Sequence, residues 1–177
     1  MSVYPPQYID KPIDKETLLK ILESANWAPT HKLTEPWRFK IFQGDAKKKL
    51  GDFLAEQYRG SISQENFSLV KYEKMKANPV KASCVLAICM HRDPDERLPE
   101  WEELAAVAAA VQNIWISSSA YGIGGYWSSP PWIENLSQHV RLNDGEKCIG
   151  LFYMGYFEPM QTNRKRGDVN EKLTWIE

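Results

Sequence analysis

Between Leu104 and Ala120 the chain reads "LAAVAAAVQNIWISSSA", and no other stretch limits its fold so tightly. Alanine and leucine favour helix. Pro99 ahead and Gly122 behind mark where that helix opens and stops. From Leu104 to Ile116 it is apolar on nearly every side, and such a helix must be surrounded. In a chain of 177 residues, enough for one domain spanning 1–177, a sheet covers one side. A second copy of the chain is the natural cover for the other. Gln112, Asn113 and three serines interrupt the run, and Glu102 and Glu103 precede it, so it reads as a buried helix and not a membrane span.

The remaining elements follow from local signals. Asp14 caps a helix running to about Trp27, with Leu18, Leu22 and Ala25 on one face. "WRFKIF" alternates Trp37, Phe39 and Ile41 against Arg38 and Lys40, the pattern of a half-buried strand. Asp45 caps a second helix with Leu50, Phe53 and Leu54 inward, and a polar third helix covers roughly Gln64 to Ala77. "SCVLAICMH" is apolar without alternation, so it is a strand covered on both faces. A short helix near Ile133 to His139 leads into the strand "CIGLFYMGYF". Helices and strands intersperse without regular βαβ alternation. The expectation is an α+β sandwich, helices around a mixed or antiparallel sheet, closed as a helix-mediated homodimer.

Charge and cysteine usage narrow the function. A formal net charge of −1 argues against a nucleic-acid or membrane-surface binder, since both need a basic face. Cys84, Cys89 and Cys148 show neither CxxC nor zinc-knuckle spacing, so no metal site is expected. Three buried thiols suit a reducing cytoplasm, and "MSVYPPQYID" has no charged-then-apolar leader pattern. No Ser, His and Asp fall into a nucleophile-elbow pattern. Glu102 and Glu103 suit the first turn of a helix. No catalytic side chain is assigned.

Two stretches remain that turn chemistry alone does not explain. "APTHKLTEPWRF" sets His31, Lys32 and Arg38 around two stiffening prolines; Trp37 and Phe39 are expected to fill core. "GIGGYWSS" offers Gly122, Gly124 and Gly125 for close backbone approach to a ligand. It follows a helix where the Rossmann GxGxxG follows a strand, so a dinucleotide fold is rejected.

These two stretches, the long helix "PEWEELAAVAAAVQNIWISSSAYGIGGYW" and the ending "GLFYMGYFEP…RKR…LTWIE" resemble the nitroreductase family of FMN-dependent oxidoreductases, in its short single-domain bacterial branch. The resemblance spans the chain from Ser2 to the end. It implies a three-layer sandwich and a homodimer with FMN at the subunit interface. It implies hydride passing from NADH or NADPH by way of flavin N5 to a nitroaromatic, quinone or other conjugated acceptor, in ping-pong order. A cofactor of that kind carries the electron chemistry, which fits the lack of a protein nucleophile.

The resemblance also implies the site. Trp27 and His31 match residues at the flavin, and Trp127, Ser128 and Ser129 match residues against it, with Ser128 where an arginine is common. Ser2 matches the serine of an Arg-Arg-Ser phosphate grip, and Met1 stands where its second arginine would be. Arg164 and Lys165 match a C-terminal phosphate-reaching pair. Each charge-assisted bond is worth about 1.5–3 kcal/mol, so losing two arginines weakens FMN by roughly a hundredfold or more. Two alternatives stay open: a start upstream, or a loosely held flavin. The competing function is a non-catalytic flavin- or small-ligand-binding module on the same fold.

Overall fold

The computed structural model describes residues 2–158 and 166–176. Four strands form one antiparallel sheet in the order β1-β2-β4-β3: β1 Trp37–Phe42, β2 Cys84–His91, β3 Ile123–Ser128 and β4 Glu146–Tyr156. Among the described residues the expected mixed character reduces to one parallel bridge, Ser2 to Gly125, at the β3 edge. Strands β2 and β4 lie in the middle, and every residue of β2 from Cys84 to Met90 is buried, as its unbroken apolar run predicts.

Helices flank both faces. On one side α1 (Lys15–Glu23) and α4 (Glu100–Ala120) close a core of Leu18, Ile21, Leu86, Ile88, Val107, Val111, Ile114 and Phe152. On the other, α2 (Asp45–Gly60) and the 3-10 turn Ile133–Gln138 close a core of Phe42, Leu50, Leu54, Val85, Ala87, Leu136 and Leu151. The fold is therefore a three-layer α+β sandwich. Helix α3 (Leu69–Lys81) packs on α2 outside this second layer. No helix among the described residues is long and apolar enough to cross a membrane.

Several boundaries differ from those read in the sequence. Asp14 does cap α1, accepting from Thr17 N at 2.8 Å, but the helix ends at Glu23 and continues as a 3-10 turn, Ser24–Trp27. Gly44 is the N-cap of α2, and Asp45 is its first residue. The third helix begins later, at Leu69, because Ser68 caps it and Gln64–Asn66 forms a separate 3-10 turn. Both faces of β1 are covered by a helical layer, so strict alternation fails. Ile41 is 44% exposed near the strand's end, while Phe42 is buried against the α2 layer.

Helix α4 carries the fold's main unfinished feature. Pro99 caps it, and Gly122 (φ 70°) follows its end in the left-handed conformation a stop requires. One face, including Val107, Val111 and Ile114, is buried in the core. The opposite face leaves Trp101 67%, Leu104 43% and Ile116 62% exposed. Glu103 stands in the first turn of α4, as expected, but a second contact set claims it. It is fully buried, pairs with Arg92 and accepts from Asp93 N at 2.9 Å, pinning the β2–α4 turn to the helix.

Candidate functional site

The N-terminal segment is laid along the outer edge of β3. Val3 N donates to Gly125 O at 3.0 Å, and Tyr8 Oη donates to Val3 O (2.8 Å) and Tyr153 O (3.0 Å). A Cβ on Gly124 would sit 2.6 Å from Val3 Cβ, and one on Gly125 would sit 2.3 Å from Phe152 Cζ. The close approach that Gly124 and Gly125 allow is thus to the chain's own N-terminal segment and to a core ring. What they achieve is to hold Ser2 against the end of α4.

There Ser2, Gln112, Trp115, Ile116, Ser119 and Arg166 surround a cavity of about 280 Å³. Every polar group in that set can donate a hydrogen bond, and among the described residues no carboxylate lines the cavity. Trp115 Nε1 is buried without a hydrogen-bond partner among the described residues. An unpaired buried donor costs about 1–3 kcal/mol, a cost that an anion oxygen or a water would relieve. One guanidinium, an amide and hydroxyls around a small volume suit a phosphate monoester. Arg164 and Lys165 lie outside the described residues. Arg166, the next residue along, faces this cavity; it and Gln112 were missed in the sequence. The signal was present in part: Arg166 belongs to the "RKR" run, and Gln112, Ile116 and Ser119 share one helical face.

His31 stands at the other end of α4. It lines a second cavity of about 470 Å³ with Pro29, Thr30, Trp101, Glu102 and Ala105. Its Nδ1 is 2.7 Å from Glu102 Oε2. The loop around it is strained: Lys32 (φ 52°), Leu33 (φ 54°) and Glu35 (φ 42°) all occupy the left-handed region without being glycine. Each such residue costs of order 1–3 kcal/mol and persists only where the surroundings fix it. Here Lys32 Nζ donates to Arg97 O (3.2 Å) and Glu35 N donates to Thr30 Oγ1 (3.1 Å). Trp27 is 82% exposed, outside all of these cavities.

Trp127, Ser128 and Ser129 line a third cavity, of about 660 Å³, under the turn that follows β3. The Trp127 indole lies across Gly150 of β4, where an added Cβ would meet Nε1 at 2.2 Å. Tyr58, Lys71, Met75, Tyr126 and Trp132 also line the cavity. Its size falls in the usual range for a small-molecule site, and Tyr58, Tyr126, Trp127 and Trp132 give it aromatic surface.

The sequence-predicted residues are therefore distributed, not convergent, within one chain. Ser2 and His31 lie at opposite ends of the exposed α4 face. From Ala105 to Ser119 is fourteen residues, about 21 Å of helix at 1.5 Å per residue. The thiols take no part: Cys84, Cys89 and Cys148 are free and buried, and burial pushes the Cys84 thiol up to about 12.

Residues 2–156 match the family model described as "Nitroreductase family". Over 172 residues the chain is 24% identical to the Bacillus subtilis (strain 168) protein named "Putative NAD(P)H nitroreductase YfhC", covering 95% of this chain and 87% of that one. The crystal structure of a nitroreductase-like family protein from Bacillus cereus superposes with a TM-score of 0.82 at 28% identity, covering 100% of this chain and 91% of the other. A mutant of the FMN and NADPH-dependent nitroreductase NfnB of Sphigopyxis sp. strain HMH gives a TM-score of 0.78 at 15% identity, over 99% and 94% of the two chains, a likeness of fold alone.

Proposed function

Because the chain belongs to the nitroreductase family, we propose that it is an FMN-dependent oxidoreductase that passes hydride from NADH or NADPH to a nitroaromatic, quinone or similar conjugated acceptor. The observation that carries this reading is the α4 face. It is apolar and exposed, and it has an all-donor cavity at one end and the strained His31 loop at the other.

Neither end suffices alone. Antiparallel pairing of two copies of α4 brings the His31 end of one protomer over the Ser2 end of its partner. Each composite site then draws on both chains, and the protomer gains the apolar cover it lacks. In this arrangement Ser2, Gln112 and Arg166 hold the phosphate. Trp127, Ser128 and Ser129 border the ring, and Trp27 and His31 approach it from the partner. The donors facing the 280 Å³ cavity fit a phosphate. When bound, FMN would supply the two-electron hydride chemistry between reduced nicotinamide and acceptor. The chain's residues bind and orient; none is required as a nucleophile.

Anaerobic titration of the FMN-loaded protein with NADH and with NADPH tests the reading. The expected result is full bleaching of the oxidised flavin band by one or both, and recovery on adding a nitroaromatic or quinone. Flavin that binds in stoichiometric amount but resists both nicotinamides would mark a binding module instead. Protein that takes up no FMN at all would refute the oxidoreductase reading.

A further inference from the structure

We propose that the cavity beneath the turn after β3 is the acceptor pocket, and that it selects planar aromatic acceptors carrying an anionic group, with Lys71 as the recognising cation. The inference rests on the oxidoreductase reading above and adds the substrate class.

The walls are flat and fixed. Tyr126 sits in a cluster of rings, 4.7 Å from Tyr4 and 6.0 Å from Tyr153 between centroids. Trp132 and Met75 add further polarisable surface, and Tyr58 is only 7% exposed. Such a slot favours a planar conjugated ligand over a saturated one. Neutral stacking alone does not discriminate among aromatic acceptors.

Charge supplies the discrimination. Among the described residues, Lys71 is the one charged residue lining the cavity. No carboxylate among them pairs with it, whereas Lys20, Lys40, Lys76 and Lys147 each have one. Its backbone is held in place from the cavity wall. Tyr58 Oη accepts from Ser68 N at 3.1 Å, and Ser68 Oγ accepts from Lys71 N at 3.4 Å, so the first turn of α3 is tied to a pocket residue. On the facing side Ser128 and Ser129 add hydroxyls and no negative charge. An aromatic carboxylate or phenolate entering the slot meets a cation and hydroxyls with no acidic competitor. A cationic aromatic of the same shape meets repulsion.

The test uses the FMN-loaded protein and three acceptors of one shape: 4-nitrobenzoate, 4-nitrobenzamide and 4-nitrobenzylammonium. Intrinsic reactivity differs among them, so the readout is the carboxylate-to-amide ratio of kcat/KM in each variant relative to the unsubstituted protein. Lys71→Met is expected to lower that ratio about tenfold, as the loss of one charge-assisted contact, through KM more than kcat. Lys71→Glu is expected to favour the ammonium compound over the carboxylate, and Lys71→Arg to restore the original preference. A ratio unmoved in both Lys71→Met and Lys71→Glu overturns the proposal.

A second measurement needs no turnover. Benzoate is titrated into the oxidised FMN-loaded protein and followed by tryptophan fluorescence. Its Kd is expected to rise about tenfold in Lys71→Met, and an unchanged Kd overturns the assignment of Lys71. The two readings fail separately. If neither NADH nor NADPH bleaches the flavin, the oxidoreductase reading falls, and the benzoate titration alone judges the pocket. If all three are reduced with no dependence on residue 71, only the anion preference falls.

Discussion

The His31 imidazole Nδ1 lies 2.7 Å from Glu102 Oε2, joining the loop after the first helix to the first turn of α4 across 71 residues of sequence. This contact, with Lys32 on Arg97 O and Glu35 N on Thr30, holds three non-glycine residues at positive φ. The His31 side chain is 60% exposed, so the pair adds little to global stability, about 1 kcal/mol or less. Its value lies in fixing the loop's shape. Glu102→Gln is therefore expected to shift the melting temperature by only a few degrees and to weaken flavin binding about tenfold. Differential scanning fluorimetry and flavin titration of the same sample check both halves.

Leu33 offers the complementary test. It is 80% exposed, so its side chain packs on little, yet it sits at φ 54°. A non-glycine residue there costs roughly 1–2 kcal/mol. Leu33→Gly is expected to raise or preserve stability against urea while loosening the loop, so that flavin affinity falls. Lower stability together with unchanged affinity would show that the strain has no bearing on the site.

Arg166 is expected to read the cofactor's phosphate. Removing a guanidinium that makes a charge-assisted contact costs about 1.5–3 kcal/mol, or roughly 10- to 100-fold in affinity. Arg166→Ala should raise the Kd for FMN by that factor and leave the Kd for riboflavin, which has no phosphate, within about threefold. Fluorescence titration with the two flavins side by side separates a phosphate effect from a general loss of fold.

Much of this architecture was legible in the chain because the signals were local. Pro99 and Gly122 bracket α4, Asp14 caps α1, and the unbroken apolar run of β2 announced cover on both faces. What escaped depends on contacts between distant residues. Ile41 looked like a core residue by alternation, but cover along β1 depends on where each helix stops. Glu103 looked like a dipole partner, but Arg92 and the Asp93 amide claim it from the far side of a turn. A charge run such as "NRKR" cannot say which side chain turns inward, and the structure turns Arg166 toward the cavity. Lys71 carried no signal at all, since only the packing of α3 on α2 brings it beside the turn after β3.

Acid should unfold the protein through a defined pair of carboxylates. Burial alone would push Glu146 up, but hydrogen bonds from Lys40 and Asn143 pull it from 4.5 down to about 2. Its bond with Arg97 holds Asp93 at about 2 as well. Both folded values lie below the unfolded ones, so the stabilisation is complete above about pH 5 and is lost as pH falls from about 4.5 to 2. Urea midpoints should be flat from about pH 8 to 6 and fall through that window. Glu146→Gln should cost roughly 1.5–3 kcal/mol at pH 7 and flatten part of the acid slope.

The exposed face of α4 yields the prediction on which the composite site depends. Trp101, Leu104, Ala105, Ala108, Gln112 and Ile116 follow the spacing of a single helical stripe, all of them exposed, while Val107, Val111 and Ile114 on the other side are fully buried. Ala105 and Ala108 are small enough for a second helix to approach at the short end of the usual spacing of about 8–10 Å. Ala108→Arg places a cation and a long side chain at the middle of that stripe, away from the protomer's own core. The expected result is a folded monomer by light scattering and circular dichroism, with the Kd for FMN raised roughly 100-fold or more, because each flavin loses the His31 loop contributed by the other copy. An exposed position away from the stripe, Gln138→Arg, should leave both mass and affinity unchanged. An Ala108→Arg protein that stays dimeric, or one that becomes monomeric and still binds FMN as tightly, would show that the two ends of α4 do not meet across the seam.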